Sequence, residues 1–585
     1  MNLIFAIIGG GLTGTSMFCQ FVQKVRQQSA RNLLTPAEIE IQIYEKQAVF
    51  GPGFPHCDQY VMPYHITNMC GRDMSILADN PTDFQQWVDA NRNILPQHVP
   101  TVDDLTGNAG TPESACRHYP RAVMGEYLKA RFQEALQFAR DIGLKVALYP
   151  GVEVIDCQDD GNKIFIHARH LQSGEAFFRN ADRVLLATGH WFEESDHLQY
   201  FTSPWPARKL LREIPPGEHV AVIGTSLSAI ETVLTLTSDG RFKRLDNGEL
   251  VYRPAEHSRK IALYSRGGML PKVRGRRGIY RNKYLSRANL ERCRRENNGC
   301  LTLSMVFELL NADLQAAYGR AFDWEAILNP VGSPADLLQQ SLHEAQTGDG
   351  EHGELIWQTV LHQTFPMARE IYLSLTLADR KRFDRQYTTL FFIHAATQPA
   401  INAEKILALL KSGQVSVHKL GDEYDFFKDD PSGCYVFSFR DKQGRQQRDL
   451  YRYVVNARGQ EKSLKTNPSA LANNLLNSRT VQIEEFETIE PPTDSGQHLV
   501  NDQNADQRSY KTGSIWIDPA THLIMTKGAG GSTARSPGIY AVGAMTRGQI
   551  IDASMAYGIA RSTAKIAQDL VDALKPNARQ NTGDK

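Results

Sequence analysis

The feature that most constrains this chain is an apolar run near its start that ends in closely spaced glycines. The run from Phe5 to Ile8 is followed by Gly9, Gly11 and Gly14, which occupy the glycine positions of the pattern G-x-G-x-x-G. In a strand–turn–helix unit, the first glycine permits a tight turn, the second lets the backbone approach a pyrophosphate, and the third lets helix and strand pack closely. The pattern predicts a dinucleotide-binding loop on a buried strand. Glycine-rich turns are common, so other segments must show whether this loop binds a dinucleotide.

Composition limits the classes of protein to which the chain can belong. Its 585 residues exceed the usual size of one hydrophobic core, so two or three domains are expected. Lys and Arg together number 65, as do Asp and Glu, so overall charge favours neither a nucleic acid nor an anionic membrane as a partner. No apolar run reaches the length of a membrane span, and the N-terminal run lacks the basic residues of a signal peptide. A cytoplasmic protein without a membrane span is expected.

Cysteine and histidine usage argues against two further kinds of site. The eight cysteines are scattered and include no C-x-x-C pair, which indicates reduced thiols rather than a disulfide framework or a dithiol reductase. The 17 histidines show no spacing typical of metal ligands. Neither a thiol-based redox centre nor a metal site is predicted.

The opening unit recurs in altered form in the middle of the chain. A second apolar run leads into Gly224, with Ser226 and Ala229 at the second and third glycine positions. Each unit is followed by alternating strand patterns and a further apolar run, which leads into Ala187 to Gly189 in the first case and Ala457 to Gly459 in the second. Chance can supply any one of these features, but four in a consistent order indicate an internal repeat of two α/β units.

The strand that follows each glycine loop ends beside a residue that can recognise a ribose. Glu45 ends the strand Ile39–Glu45, where a dinucleotide fold places a carboxylate that accepts hydrogen bonds from ribose hydroxyls. Its spacing from the glycines is longer than usual, and a surface glutamate is the alternative. Arg266 follows the strand Lys260–Ser265, where a guanidinium can pair with a 2′-phosphate that a carboxylate would repel. NADPH is therefore favoured over NADH, unless Arg266 belongs only to the basic run that extends to Arg295.

A third glycine segment lies near the C-terminus, where an apolar run ends in Gly543 and leads into a helix of small residues. With this return to the first unit, the chain resembles the two-dinucleotide-binding flavoproteins, which include glutathione-reductase-like and flavin-monooxygenase-like folds. In detail it is similar to a bacterial FAD/NAD(P)-binding family in which the first motif precedes a Gly-Pro-Gly segment, here 51–53, and an Asn…Met-Ser loop, here Asn68, Met74 and Ser75. The resemblance covers most of the chain but is thin over 300–415.

The resemblance implies an α/β fold with two Rossmann-like dinucleotide-binding domains, antiparallel β-meanders and a helical insertion. It implies FAD as the cofactor of the first domain and NADPH, rather than NADH, as that of the second. The implied divisions are a discontinuous FAD-binding domain (1–200 plus 451–575), an NAD(P)-binding domain (201–299 plus 416–450), a helical insertion (300–415) and a flexible tail (576–585). The implied cofactor-binding residues are Gly9, Gly11, Gly14, Glu45, Met74, Ser75, Thr188, Gly189, Gly224, Ser226, Ala229, Arg266 and Gly543.

The loop that contains Asn68 also resembles a segment that lies beside the isoalloxazine ring in flavin-containing monooxygenases. There an asparagine amide can hydrogen-bond the C4a-(hydro)peroxyflavin or the nicotinamide, and Asn68 is the candidate for that role. The alternative is that Asn68 only satisfies the backbone of its own loop. Arg72 and His65 are candidates for orienting a substrate. His190 and Trp191 either cap the entry of the nicotinamide or substrate, or pack between domains.

Three functions remain open at the level of sequence. The favoured one is an FAD-dependent, NADPH-consuming monooxygenase that N-hydroxylates a small amine or amino acid, with molecular oxygen as co-substrate. A flavin dehydrogenase or reductase that uses another electron acceptor fits the same motifs. The altered second glycine loop also allows a non-catalytic FAD-binding redox sensor. The expected partners are a small-molecule substrate and oxygen, without a nucleic acid, and a homo-oligomer is left open.

Overall fold

Two mainly parallel β-sheets, each built around one of the glycine loops, form the framework of the protein. The computed structural model describes residues 3–93, 118–192, 199–441, 443–460, 463–487, 509–528 and 531–575. The tail predicted at 576–585 lies outside the described residues. Within them, no helix combines the length and the apolar character that crossing a membrane requires.

The secondary-structure elements are numbered along the chain. The strands are β1 (Leu3–Ile8), β2 (Ile39–Glu45), β3 (Lys145–Pro150), β4 (Val152–Asp159), β5 (Ile164–His170), β6 (Ala176–Ala181), β7 (Arg183–Leu186), β8 (Tyr200–Phe201), β9 (His219–Ile223), β10 (Arg241–Arg244), β11 (Leu250–Arg253), β12 (Lys260–Ser265), β13 (Val415–Lys419), β14 (Tyr424–Asp429), β15 (Cys434–Arg440), β16 (Gln446–Tyr451), β17 (Tyr453–Asn456), β18 (Ile483–Glu487), β19 (Ser509–Ile515), β20 (Leu523–Lys527) and β21 (Thr533–Ala541). The α-helices are α1 (Leu12–Ser29), α2 (Gly53–His56), α3 (Asp83–Ala90), α4 (Arg121–Asp141), α5 (Ala207–Glu213), α6 (Leu227–Leu236), α7 (Arg287–Glu296), α8 (Leu303–Tyr318), α9 (Trp324–Leu328), α10 (Pro334–Thr347), α11 (Ile356–His362), α12 (Phe365–Ser374), α13 (Leu377–Arg382), α14 (Thr388–Ala395), α15 (Ala400–Lys411), α16 (Ala470–Asn477) and α17 (Ala556–Leu574).

The first sheet has the strand order β20-β21-β7-β1-β2-β3. Strand β1 lies between β2 and β7 and is parallel to both. Its side chains alternate between two buried clusters: Phe5 and Ile7 join residues of α1, α4 and α17, whereas Ala6 and Ile8 join the β4–β6 meander and α16. A parallel strand covered on both faces needs an apolar side chain at every position, which explains the continuous apolar run in the sequence. Strand β21 returns from near the C-terminus to pair with β7.

The second sheet repeats this arrangement with the order β13-β12-β9-β17-β8, and each neighbouring pair is parallel. Val220 and Val222 of β9 share a buried cluster with α6 and α15, whereas Ala221 and Ile223 share one with the β14–β16 meander. Because β17 belongs to this sheet, the second unit extends beyond the boundary predicted between residues 450 and 451. An apolar run shows that a strand is buried but does not show which sheet it joins.

Equivalent backbone hydrogen bonds fix the two glycine loops. The Gly9 N–H donates to the Tyr44 carbonyl at 2.9 Å, and the Gly224 N–H donates to the Tyr264 carbonyl at 2.7 Å. The residue after β7 and the residue after β17 each donate an N–H to the last residue of the central strand, at 2.8 Å in both sheets. The internal repeat found in the sequence is therefore also a structural repeat.

The helical insertion has a buried core of its own, which draws residues from α7, α8, α11 and α12. Its boundaries differ from the predicted 300–415 at both ends. Leu290 of α7 lies in this core, whereas Ile406 of α15 packs in the core of the second sheet. Within the insertion, α11 and α12 are separate helices, because Pro366 lies in the first turn of α12 and favours a helix start there.

A buried ion pair joins the first unit to the second. The Arg121 Nε at the start of α4 lies 2.6 Å from Oε1 of Glu231 on α6. Glu231 is 2% exposed, and its Oε2 has no hydrogen-bond partner among the described residues. Burial raises the pKa of Glu231, and the Arg121 guanidinium opposes that rise. The carboxylate therefore depends on a single cation.

We expect Arg121→Met to destabilise the protein by about 3–5 kcal/mol, because it leaves the Glu231 carboxylate buried without its counter-charge. The measurement is the free energy of unfolding in urea at neutral pH. The matched control is the double variant Arg121→Met/Glu231→Met, which removes both charges and should recover most of the loss. Equal destabilisation in the single and double variants would show that the pair does not act in this way.

Candidate dinucleotide-binding cavity

A large cavity of about 1490 Å³ lies where the two glycine loops, the Asn68 loop (residues 66–77) and the helical insertion meet. Most of the predicted site residues line it. They are Gly9, Gly11, Glu45, Asn68, Arg72, Met74, Ser75, Thr188, Gly189, Gly224, Ser226, Arg266 and Gly543, together with His190 and Trp191. Gly14, Ala229 and His65 are not among the residues that line this cavity.

The first glycine loop is shaped by two close backbone approaches that exclude side chains. Gly9 has φ of +108°, and a Cβ there would lie 2.3 Å from the Ala187 carbonyl oxygen. A Cβ on Gly14 would lie 1.9 Å from the Gly9 carbonyl oxygen. Gly14 therefore lets α1 pack closely against the loop without lining the cavity itself. Gly9 and Gly11 form part of the cavity wall.

Glu45 holds the shape of this loop from the end of β2. Its carboxylate accepts hydrogen bonds from the Gly10 N–H at 2.7 Å and the Gln47 N–H at 2.9 Å. Burial raises the pKa of Glu45, and these N–H groups counteract the rise. The side chain is only 9% exposed and lines the cavity, so it is not the surface glutamate of the alternative interpretation.

The C-terminal segment closes against the first loop. Gly543 has φ of +95°, and a Cβ there would lie 3.1 Å from Oγ1 of Thr13 on α1. The Thr188 hydroxyl donates to Sδ of Met545 at 2.9 Å. Residues from positions 13, 188 and 543 therefore form one wall, although they are far apart in the sequence.

The second glycine loop keeps the geometry of the first despite its altered residues. Gly224 has φ of +121°, and a Cβ there would lie 2.8 Å from the Ala457 carbonyl oxygen. Ala229 is fully buried where α6 packs on β9. Ser226 is the N-cap residue of α6 and makes no side-chain capping bond. The loop therefore offers α6 backbone N–H groups to the cavity, as the first loop does with α1.

The two units differ in the residue at the end of the second strand. Strand registers pair Ile8 with Tyr44 and Ile223 with Tyr264, so Ser265 occupies the position equivalent to Glu45. The hydroxyl of Ser265 accepts a hydrogen bond from the Gly268 N–H at 3.0 Å.

Arg266 follows Ser265 directly. It is exposed, lines the cavity, and its guanidinium makes no ion pair or hydrogen bond with another described residue. A small hydroxyl in place of the acid, followed by a free guanidinium, leaves room and charge for a phosphate.

The Asn68 loop is anchored to the first unit by backbone and side-chain bonds. The Thr67 N–H donates to the Tyr119 carbonyl at 2.8 Å, and the Ser16 hydroxyl of α1 donates to the Ile76 carbonyl at 2.7 Å. Within the part of the chain that the structure describes, the Asn68 amide makes no hydrogen bond to its own loop. Its donors and acceptor are therefore available to the cavity, contrary to the alternative interpretation.

His65 does not have the role considered for it. Its ring is buried, with Nε2 hydrogen-bonded to the Thr235 hydroxyl at 2.9 Å and Nδ1 accepting from the Met62 N–H at 3.2 Å. Burial and the nearby Arg121 charge lower its pKa to about 3. Both ring nitrogens are occupied by protein groups, so His65 joins the two units rather than facing a substrate.

Several cavity residues are absent from the sequence prediction. Arg274, Arg277, Arg547 and His362 all line the cavity. Arg274 and Arg277 lie in the basic run that begins at Arg266, and their spacing does not distinguish them from exposed members of that run. His362 comes from α11, in the region where the resemblance is thinnest. The fold, and not a local pattern, brings these side chains to the site.

No described cysteine lines the cavity. Cys70, in the Asn68 loop, is disulfide-bonded, which departs from the expectation of reduced thiols. Sequence spacing does not show which cysteines the fold brings together. The other described cysteines are free thiols.

The fold and cavity define a protein in which two dinucleotide-binding folds face one site. Residues 6–191 match the model of a family described as FAD-NAD(P)-binding, which identifies this stretch as an FAD-NAD(P)-binding domain. The match includes the first glycine loop, Glu45, the Asn68 loop and the crossover at Thr188 and Gly189.

Two known proteins show how far the likeness extends. The uncharacterised protein YdhS of Escherichia coli (strain K12) is 23% identical over 442 residues, which cover 72% of this chain and 77% of that protein. The reduced form of the ornithine hydroxylase PvdA from Pseudomonas aeruginosa superposes with a TM-score of 0.50 and 11% identity, over 98% of this chain and 100% of that chain. The likeness to the solved structure confirms the predicted fold and nothing finer.

We expect Gly14→Ala to abolish FAD retention, because the added methyl group would lie 1.9 Å from the Gly9 carbonyl oxygen and force the loop open. The measurement is flavin absorbance per protein after gel filtration. The control is Gly528→Ala, where the nearest atom to an added Cβ is 3.5 Å away and φ is ordinary. A Gly14→Ala protein with a full complement of FAD would contradict the assigned role of this loop.

Proposed function

We propose that the protein is an FAD-dependent, NADPH-consuming monooxygenase that oxygenates a nitrogen atom of a small substrate. The observation that carries the proposal is that both glycine loops and the Asn68 amide face one cavity whose described lining contains no cysteine. Two dinucleotides can meet there, while a thiol relay to a disulfide substrate cannot be built from the described lining residues.

The residues of the first unit fit FAD. Gly9 and Gly11 provide a wall without side chains, and the N-terminus of α1 presents N–H groups to a pyrophosphate. Glu45 lies at the strand end where a ribose is recognised, and Gly543 leaves space beside Thr13 for the ribityl chain or the pyrophosphate. FAD supplies the acceptance of a hydride and the activation of oxygen when it is bound.

The residues of the second unit fit NADPH. Gly224 and Ser226 form the phosphate-facing loop, and Arg266 provides a free cation beyond the end of β12. Ser265 in place of an acid removes the group that would repel a 2′-phosphate. The preserved geometry of this loop argues for a working nucleotide site, and so against the redox-sensor alternative.

The remaining residues of the chain position the reacting groups and exclude water. Asn68 presents an amide to the cavity, where it can donate a hydrogen bond to a polar atom of cofactor or substrate. Phe54, Trp205, Phe392 and Ile393 contribute apolar surface to the same wall. Exclusion of water protects reactive species from hydrolysis and side reactions. The resemblance of the sequence to N-hydroxylating monooxygenases motivates the choice of a nitrogen atom, and the structural neighbour is named as an ornithine hydroxylase, a likeness of fold alone.

The decisive experiment measures oxygen uptake by the FAD-loaded protein with NADPH and a panel of small amines and amino acids. We expect one class of compound to stimulate uptake and to gain one oxygen atom, as shown by mass spectrometry. If no compound stimulates uptake but an artificial acceptor such as ferricyanide does, the protein is a flavin dehydrogenase or reductase. If neither NADPH nor NADH reduces the bound FAD, the redox-sensor alternative is favoured.

We expect Arg266→Gln to raise the KM for NADPH by about 10–100-fold, which corresponds to the loss of about 1.5–3 kcal/mol from a charge-assisted hydrogen bond. The KM for NADH should stay nearly constant, because NADH carries no 2′-phosphate. Steady-state reduction of an artificial acceptor provides the measurement, with NADH as the internal control. An equal change for both nucleotides would remove Arg266 from this role.

We expect Asn68→Ala to lower the yield of oxygenated product per oxygen consumed by about tenfold, the rate equivalent of about 1.4 kcal/mol. The loss of an amide hydrogen bond in the cavity should release more oxygen as hydrogen peroxide instead. The rate of FAD reduction by NADPH, measured without oxygen, is the control and should be unchanged. Full coupling in the variant would show that Asn68 does not stabilise the oxygenation step.

A further inference from the structure

Three arginines converge on one wall of the cavity: Arg72 of the Asn68 loop, and Arg274 and Arg277 of the segment that follows β12. The carboxylate beside them is Asp73, whose Oδ2 accepts a hydrogen bond from Arg277 at 2.6 Å. Apart from Asp73, the acidic side chain among the described lining residues is Glu45, which is bound to the first glycine loop. Asp73 is therefore the acid that the described lining places beside Arg274 and Arg277.

The part of this wall that carries Arg274 and Arg277 packs on the helical insertion rather than on either glycine loop. The Gly275 N–H donates to Oε1 of Gln358 at 2.9 Å, and the Gly278 N–H donates to the Thr359 hydroxyl at 2.8 Å. Both acceptors lie on α11, so this helix fixes the segment that carries Arg274 and Arg277. His362 on the same helix also lines the cavity. The segment that carries Arg274 and Arg277 thus packs on the helical insertion.

The electrostatics of the cluster is unfavourable without a ligand. The Arg274 guanidinium makes no ion pair or hydrogen bond with another described residue, and its Nε and that of Arg277 are buried without partners. Burial and the charges of Arg277 and Arg72 lower the pKa of Arg274 to about 10. A buried cation without a counter-charge destabilises a folded protein and calls for an explanation.

An oxyanion would supply what the cluster lacks. A guanidinium presents its N–H groups in a planar fork that matches a carboxylate or phosphate, and the pairing strengthens where water is excluded. A cationic substrate would instead meet like charges, because Asp73 is already paired with Arg277. The phosphates of FAD and NADPH are accounted for by the two glycine loops and Arg266.

We infer that Arg72, Arg274 and Arg277 bind a carboxylate or phosphate group of the substrate, so that the substrate is an acid and not a diamine or other cationic amine. The inference rests on the proposed function for the identification of this ligand as the substrate. The inference predicts that the site binds anionic compounds in preference to cationic amines.

The test titrates the FAD-loaded protein with glutarate, inorganic phosphate or cadaverine, in the presence of NADP⁺ and without oxygen. Melting temperature and the flavin absorption spectrum report binding. We expect glutarate, phosphate or both to bind saturably, and the better ligand shows which oxyanion the site takes. Cadaverine should give no saturable change. Tight cadaverine binding, or displacement of NADP⁺ by the anion, would overturn the inference.

The variants locate the binding. Arg274→Gln should weaken anion binding at least tenfold without lowering the melting temperature of the ligand-free protein, because it removes an unpaired buried cation. Arg276→Gln is the matched control: it lies in the same segment, is exposed and does not line the cavity. Unchanged anion binding by Arg274→Gln, or an equal loss in both variants, would contradict the assignment. These binding measurements do not involve oxygenation, so failure of the monooxygenase proposal would leave their result intact. Conversely, oxygenation of cationic amines would refute this inference but not the monooxygenase proposal.

Discussion

The close approach of Gly9 to the Ala187 carbonyl is the contact on which the site depends. It brings the ends of β1 and β7 together, so that the loops after both strands open into one space, as parallel sheets require for ligand binding at their carboxyl ends. The equivalent approach of Gly224 to Ala457 does the same for the second sheet. In the second unit, Gly224 keeps this turn although Ser226 and Ala229 occupy the other two glycine positions.

Equivalent positions in the repeated units carry different chemistry. At the end of the second strand, the first unit has Glu45, which holds the Gly10 N–H and is buried. The second unit has Ser265 and then the exposed Arg266. The first arrangement suits a cofactor recognised through ribose hydroxyls, and the second suits a nucleotide with an additional phosphate. The divergence of the repeat at this position supports the proposal that FAD binds the first half and NADPH the second.

The parts of the fold that depend on a local sequence pattern could be predicted from the sequence. Strand β2 has the predicted bounds, Ile39–Glu45, because isoleucines that alternate with polar residues from Ile39 to Ile43 are typical of a strand. The glycine loops were predictable because backbone geometry there excludes a side chain. The arginine wall was not predictable, since Arg274 and Arg277 reach the cavity only through contacts with α11. His65 was assigned wrongly to the cavity because a histidine near a motif gives no sign of its buried partner Thr235.

The distribution of charge connects the cofactor sites to the substrate wall. The chain has 65 basic and 65 acidic residues, yet the charged residues among the described lining of the cavity are predominantly basic, with Glu45 and Asp73 as the acids. Some of these cations form ion pairs with acids that do not line the cavity. Arg121 pairs with Glu231, and Arg561 pairs with Asp552. Arg266 is exposed and adjoins the second glycine loop, so a nucleotide phosphate accounts for its free charge. Arg274 is partly buried and lies in the segment that packs on the insertion, where neither loop supplies a phosphate. The excess of positive charge in the lining therefore has two parts, of which the proposed nucleotide phosphate explains one and the inferred substrate oxyanion the other.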